Sequence, residues 1–188
     1  MKTFKYPVHG FYVSCNEFPT RIAVGIEMGS CIQYCIDCHS KDLWDTQDYM
    51  TLEKIQLEVM SLLEKGATGI VIMGGTTNNI HYDDLVKLIN TMCDLAPTCL
   101  YSGSDDEELH RKLVEDTYLV ALKTGSYIKE LGGLSSPTTN QHFYLLGEEY
   151  DYNAQGGLEN RRRIMRDVTK DFFQKHDQFN IKPKERQT

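Results

Sequence analysis

Four short apolar runs, each ending in small or turn-forming residues, constrain the fold of this chain most strongly. They are Arg21–Met28, Thr68–Met73, Thr98–Tyr101 and Tyr118–Leu122. Each is too short for a globular helix and is dominated by aliphatic residues, so each reads as a buried strand. Between them the spacing changes to that of helices. Leu52, Ile55, Val59, Leu62 and Leu63 recur at helical intervals over Thr51–Lys65, with Gly66 at the position of a C-terminal cap. Leu85, Leu88, Ile89 and Met92 mark one face of a second helix, and Ser104 with Glu107 has the form of a capping box that opens a third from Asp105 to about Glu115. Strand, loop and helix thus alternate, which predicts an α/β fold with a sheet of mostly parallel strands covered by helices. The runs are followed by Gly29-Ser30, Gly74-Gly75, Ser102-Gly103 and Thr124-Gly125. In such sheets ligands bind at the carboxyl edge of the strands, so these turns are expected to face one cleft.

Outside this alternation, Phe11–Ser14 reads as a short first strand, followed by a loop at Asn16–Thr20. Gly132–Gln141 reads as a turn-rich loop and His142–Leu146 as a last strand. Leu158–Phe173 is expected to form a final helix burying Ile164, Val168 and Phe172, with residues 181–188 as a frayed tail. The expected division is a main domain over residues 1–147 and a helical C-terminal extension over 148–188. With 188 residues, of which 40% are hydrophobic and 25% charged, the chain is long enough for one proper core. The formal net charge of −7 argues against broad binding to nucleic acid or anionic membrane. Residues 158–188 run against that balance, with nine Lys or Arg against five Asp or Glu. Arg161-Arg162-Arg163 reads as a solvated face. No apolar run approaches the roughly 18 residues of a membrane span, and residues 1–6 lack a signal-peptide core, so a soluble, cytoplasmic protein is expected.

The chemistry concentrates in one loop. Cys31, Cys35 and Cys38 lie in a CxxxCxxC pattern directly after the first apolar run. Clustered thiols in a reducing compartment favour metal binding over disulfides. Three thiols are one short of the four protein ligands of a structural zinc or an ordinary iron–sulfur centre, so the pattern points to a metal centre with one open position. A zinc site with His39 as fourth ligand is the plainer alternative, although His39 directly beside Cys38 crowds a tetrahedron. Cys93 and Cys99 read as buried structural thiols.

Cysteines at this spacing after the first strand of a β/α unit resemble the radical S-adenosylmethionine (SAM) family. Within it, the chain is similar to the activating enzymes of anaerobic ribonucleoside-triphosphate reductase. The resemblance rests on Gly29, Trp44, Gly74-Gly75, Leu100-Tyr101-Ser102-Gly103, the segment Lys123–Leu131 and the Asn140-Gln141 pair, in that order over residues 20–145. It implies an open partial (β/α) barrel whose loop, residues 29–39, carries a [4Fe-4S] cluster on Cys31, Cys35 and Cys38. It also implies that SAM binds the free iron and is split reductively to methionine and a 5′-deoxyadenosyl radical. Gly74, Gly75, Thr76, Ser102 and Asn140 would shape the SAM pocket. The implied partners are the catalytic subunit of the reductase, which receives a glycyl radical, and an electron donor such as flavodoxin or ferredoxin.

Two positions depart from the resemblance: many radical SAM enzymes have an aromatic residue before the third cysteine, where this chain has Asp37, and the family commonly has an acidic residue after the paired glycines, where this chain has Thr76-Thr77-Asn78. Thr76 or Asn78 could supply an oxygen in its place. Other readings are a small radical SAM enzyme of the 7-carboxy-7-deazaguanine synthase type, or a non-catalytic zinc or iron–sulfur binding module. Tyr34 and Trp44 read as packing residues. His9, His81, His110, His142 and His176 fit no metal or triad pattern, and neither a nucleophile–base pair nor a phosphate loop is evident.

Overall fold

The computed structural model describes residues 4–45 and 48–171. Three helices form where the apolar spacing predicts them. The first, α1 (Leu52–Glu64), opens on Thr51, whose side chain accepts a hydrogen bond from the backbone of Lys54, and it is followed by Gly66 at φ +110°. The second, α2 (Tyr82–Cys93), buries Leu85, Leu88, Ile89 and Met92. The third, α3 (Glu107–Asp116), starts two residues later than the capping box predicts, because Asp106 caps it by accepting from the Leu109 backbone at 3.0 Å. Ser104 instead accepts from the Asp106 backbone, inside the turn that leads into the helix.

Among the described residues eight strands form one sheet: β1 (Tyr6–Ser14), β2 (Ala23–Met28), β3 (Tyr49–Met50), β4 (Gly69–Met73), β5 (Thr98–Tyr101), β6 (Ala121–Thr124), β7 (His142–Tyr152) and β8 (Leu158–Asp167). Their order across the sheet is β3-β1-β2-β4-β5-β6-β7-β8. Only the central β2-β4-β5-β6 segment is parallel. The flanking pairs β3-β1, β1-β2, β6-β7 and β7-β8 are antiparallel. This corrects the expected open partial (β/α) barrel of mostly parallel strands: the sheet is mixed, with more antiparallel than parallel pairings. The physical reason lies in the connections. A parallel neighbour needs a crossover helix, and none follows β1, β6 or β7, so each of these strands is followed by an antiparallel partner.

The C-terminal region carries the second correction. The expected helix Leu158–Phe173 is a strand as far as Asp167, and β7 runs straight through the expected boundary at 147/148. A turn at residues 153–157 folds β8 back on β7: the Asn153 side chain accepts from the backbone of Gln155 and of Gly157, and Gly156 sits at φ +78°. Arg161 pairs with Glu148, and Arg162 with Glu149 at 2.6 Å, across the ladder. Arg161 and Arg162 stay exposed as a solvated face while pairing with the carboxylates of β7, and only Arg163 is largely covered. Phe172, Phe173 and the tail 181–188 lie outside the described residues.

Alternate strand residues feed two cores. Val24, Ile26, Met28, Ile70, Ile72, Leu100 and Leu122 pack with the apolar faces of all three helices. On the opposite face a smaller cluster of Ala23, Val71, Cys99, Ala121 and Phe143 packs with Phe18. Among the described residues no helix is long and apolar enough to cross a membrane. The central strands hold the fold while the distal ribbon contributes little. Truncating fully buried Ile72 to alanine should cost about 2–5 kcal/mol in urea unfolding. Leu158→Ala, at a side chain 58% exposed, should stay within about 0.5 kcal/mol.

Candidate cluster and cofactor site

The cysteine loop leaves the carboxyl end of β2 and is pinned at several points. The backbone N–H of Gly29 donates to Pro7 at 2.8 Å, that of Cys31 to Leu43 at 3.0 Å, and that of Ile32 to Thr77 at 2.9 Å. Ser30, Tyr34 and Asp37 all hold positive φ, a conformation that costs a non-glycine residue about 1–2 kcal/mol and persists only where contacts enforce it. Two such contacts reach across from the segment after β6: Lys129 Nζ pairs with Asp37 at 2.8 Å, and the Tyr127 ring meets His39 at 5.3 Å. Asp37 thus serves as a tether. Tyr34 and Trp44 meet edge to face, with ring centres 5.2 Å apart.

All three thiols are free and half-buried. Cys31 Sγ lies 3.6 Å from the Thr77 hydroxyl, and Cys38 Sγ accepts the Ser40 N–H at 3.4 Å. Among the described residues no three His, Cys, Asp or Glu side chains stand close enough to hold one metal ion. His39 is exposed, its ring beside that of Tyr127. The donor set itself, three soft thiolates with a backbone N–H to sulfur, suits an iron–sulfur cluster.

Beside the loop, β4 ends in Gly74 and Gly75, at φ +105° and +106°. Side chains there would be strained and crowded. A Cβ on Gly74 would stand 2.9 Å from Asn78 Oδ1, and one on Gly75 would stand 2.7 Å from Leu85. Asn78, only 1% exposed, holds this turn against the cysteine loop. Its Oδ1 accepts from Gly75 N at 2.7 Å, and its Nδ2 donates to the carbonyls of Met28 and Gly29, both at 2.8 Å. The Thr77 hydroxyl also donates to Asn78 Oδ1 at 3.5 Å, so the amide is fully engaged, Asn78 has no oxygen to offer a ligand and Thr76 remains.

Thr76 Oγ1 lies 2.9 Å from Ser102 Oγ, which lies 2.8 Å from His110 Nε2. Burial lowers the His110 pKa, an effect partly opposed by the charges of Asp106, Asp105 and Glu107. Ser102 and His110 form a nucleophile–base pair that the sequence reading missed. Ser102 is only 1% exposed, so the pair is not presented to a hydrolytic substrate.

Gly74, Gly75 and Thr76 follow β4 and Ser102 follows the adjacent β5, with the Thr76 and Ser102 hydroxyls in hydrogen-bond contact. Asn140 stands apart, beyond β6. Its Nδ2 donates to the Ser126 carbonyl at 2.9 Å, and its buried Oδ1 lacks a partner. With Asp105, His110, Thr124 and Tyr144 it lines a separate cavity of about 820 Å³. No family model and no curated protein matches this sequence.

On the opposite face of the sheet, Lys123 Nζ sits 5.7 Å over the Tyr101 ring and donates to the Gly125 carbonyl at 3.5 Å. Burial pushes its pKa down to about 8, against the opposing pull of Cys35, Asp105 and Cys99. The same burial pushes the Cys99 thiol up, and Cys93 up to about 11, which fits structural roles for both.

Two outcomes follow from this geometry. Asn78→Ala leaves Gly75 N and two carbonyls without their partner, and it should cost about 1–3 kcal/mol in chemical denaturation. Lys123 has a folded pKa below its unfolded value, so the cost of burying its charge is full below about pH 8 and is relieved as pH rises towards 10.5. In the cluster-free protein, Lys123→Met should be more stable than wild type at pH 7, and the gap should narrow between pH 8 and 10 in parallel urea titrations.

Proposed function

We propose that this chain is a radical SAM activase that installs a glycyl radical on the catalytic subunit of an anaerobic ribonucleoside-triphosphate reductase. The observation that carries the reading is the three-thiol loop joined to the Gly74-Gly75 turn through Ile32 N–H to the Thr77 carbonyl and through the Asn78 amide. The reading needs only the parallel central strands, whose carboxyl ends supply both elements.

In this reading Cys31, Cys35 and Cys38 hold a [4Fe-4S] cluster, which supplies one-electron reduction of SAM. The chain's own residues do the rest. Gly74 and Gly75 let the chain turn at positive φ tightly against Asn78 and Leu85, which keeps the turn beside the cysteine loop. Thr76 offers a hydroxyl oxygen where the resembled enzymes commonly have a carboxylate. Lys129 and Tyr127 hold the far side of the cysteine loop through Asp37 and His39. Lys123 places a cationic amine near Cys35, where it offsets thiolate charge. The electron donor would be a small redox protein such as flavodoxin or ferredoxin, and no nucleic acid or membrane partner is invoked.

Anaerobic reconstitution with iron and sulfide tests the reading. The expected protein is brown, bleaches with dithionite, releases 5′-deoxyadenosine from SAM and generates a glycyl radical doublet when mixed with the reductase subunit. A colourless protein that retains zinc would overturn it in favour of a binding module. SAM cleavage without a radical on an authentic reductase subunit would remove the assigned substrate.

A further inference from the structure

The segment between β6 and β7, residues 126–139, is built as a hinged strap. Its two ends are pinched together: Gly125 holds φ +100°, and a Cβ there would stand 3.0 Å from the Asn140 carbonyl oxygen and 3.1 Å from Gln141 Cα. Asn140 Nδ2 donates to the Ser126 carbonyl at 2.9 Å and Gln141 Nε2 to the Gly125 carbonyl at 3.4 Å, which closes the base. Asp105 fastens that base to the turn before α3 by accepting from Ser126 N at 3.0 Å. Within the strap, Gly132 N donates to the Ile128 carbonyl, Ser136 N to that of Gly133 and the Thr138 hydroxyl to that of Leu131. A loop with adjoining ends and bonds of its own is a compact unit.

Away from its base the strap is held by side chains. Leu134 packs on the smaller core, the cluster that includes Phe18, Val71, Cys99 and Phe143. Lys129 and Tyr127 reach the cysteine loop through Asp37 and His39, the two residues that flank Cys38. The strap therefore runs from β6 across the smaller core to the cysteine loop, on the sheet face that also carries Lys123 and Tyr101. Its outer fastening is open to water, with the Lys129 side chain 61% and that of Asp37 47% exposed. An ion pair this exposed is weak and is screened by salt. A firm base, an apolar anchor and a weak far end are the parts of a lid.

We propose that residues 126–139 are a lid that covers Cys35 and Cys38 from the smaller-core side of the sheet and opens when the Lys129–Asp37 latch breaks. Cys31 lies outside its reach, its Sγ 3.6 Å from the Thr77 hydroxyl in the turn after β4. Identifying the polypeptide admitted under the open lid with the reductase subunit rests on the function proposed above; the lid itself does not.

Anaerobic labelling of the full cluster-free chain with uncharged N-ethylmaleimide, read cysteine by cysteine in a mass spectrometer, tests the lid without any activity. Exposed Cys15 serves as the reference for reagent, and buried Cys99 reports global unfolding. Lys129→Met should speed labelling of Cys35 and Cys38 about two- to fivefold, the range of one exposed ion pair, and leave Cys31 unchanged. Lys129→Arg, which keeps the charge, should label like wild type. Leu134→Ala removes the anchor without touching the cysteine loop, and it should speed the same two thiols. Raising sodium chloride from about 0.1 M to 1 M should speed them in wild type and not in Lys129→Met. Equal acceleration of all three loop thiols would mean a loosened cysteine loop and overturn the lid. Unchanged Cys35 and Cys38 in Leu134→Ala would overturn it too, since nothing would then cover them. A lid that passes these tests in a protein that never cleaves SAM would overturn the proposed function alone.

Discussion

The side chain of Asn78 is the tie on which the rest of the site depends. Strands β2 and β4 run parallel, and their carboxyl ends release two loops. The Asn78 carboxamide joins them at their base, accepting from Gly75 and donating to Met28 and Gly29, and the Ile32 N–H to Thr77 carbonyl bond adds a second link further out. Because the amide is buried, losing any of these bonds exposes the desolvation cost of its partners, so the clamp holds the cysteine loop and the glycine turn in fixed relation. The positive φ angles of Ser30, Tyr34 and Asp37 can persist only on such an anchored frame.

The mixed sheet determines what surrounds this frame. Antiparallel partners on both sides of the parallel segment leave α1, α2 and α3 on one face and a thin core around Phe18 and Phe143 on the other. Lys123 and Tyr101 lie on that second face. A buried amine is costly for folding at neutral pH; in the proposed reading it would offset the negative charge of cluster-bound cysteines.

What could be read from the sequence follows interaction range. The apolar runs of β2, β4 and β5 and the helical spacing of α1 and α2 are local patterns, and they appear where expected. The thiols and the paired glycines are likewise read from nearly consecutive residues, and the glycines take the positive φ of a turn. The β7-β8 ribbon was misread because Ile164 and Val168 fall at helical spacing. The Asn153-to-Gly157 turn and the Glu148, Glu149 pairing with Arg161, Arg162 outweigh that spacing. The partners of Asn78 lie about fifty residues away in the chain, beyond any local pattern. His110 was closer to legible: it shares the buried face of α3 with Leu113 and Val114, where a histidine needs a polar partner. Ser102 is that partner.

The central claim is that three thiolates leave one position of a cluster open beside the Thr76 turn. Mössbauer spectroscopy of protein reconstituted with ⁵⁷Fe tests it most directly. The account predicts a cluster in which one iron is distinct from the rest and changes its isomer shift when SAM is added. Equivalent irons, unmoved by SAM, would contradict it.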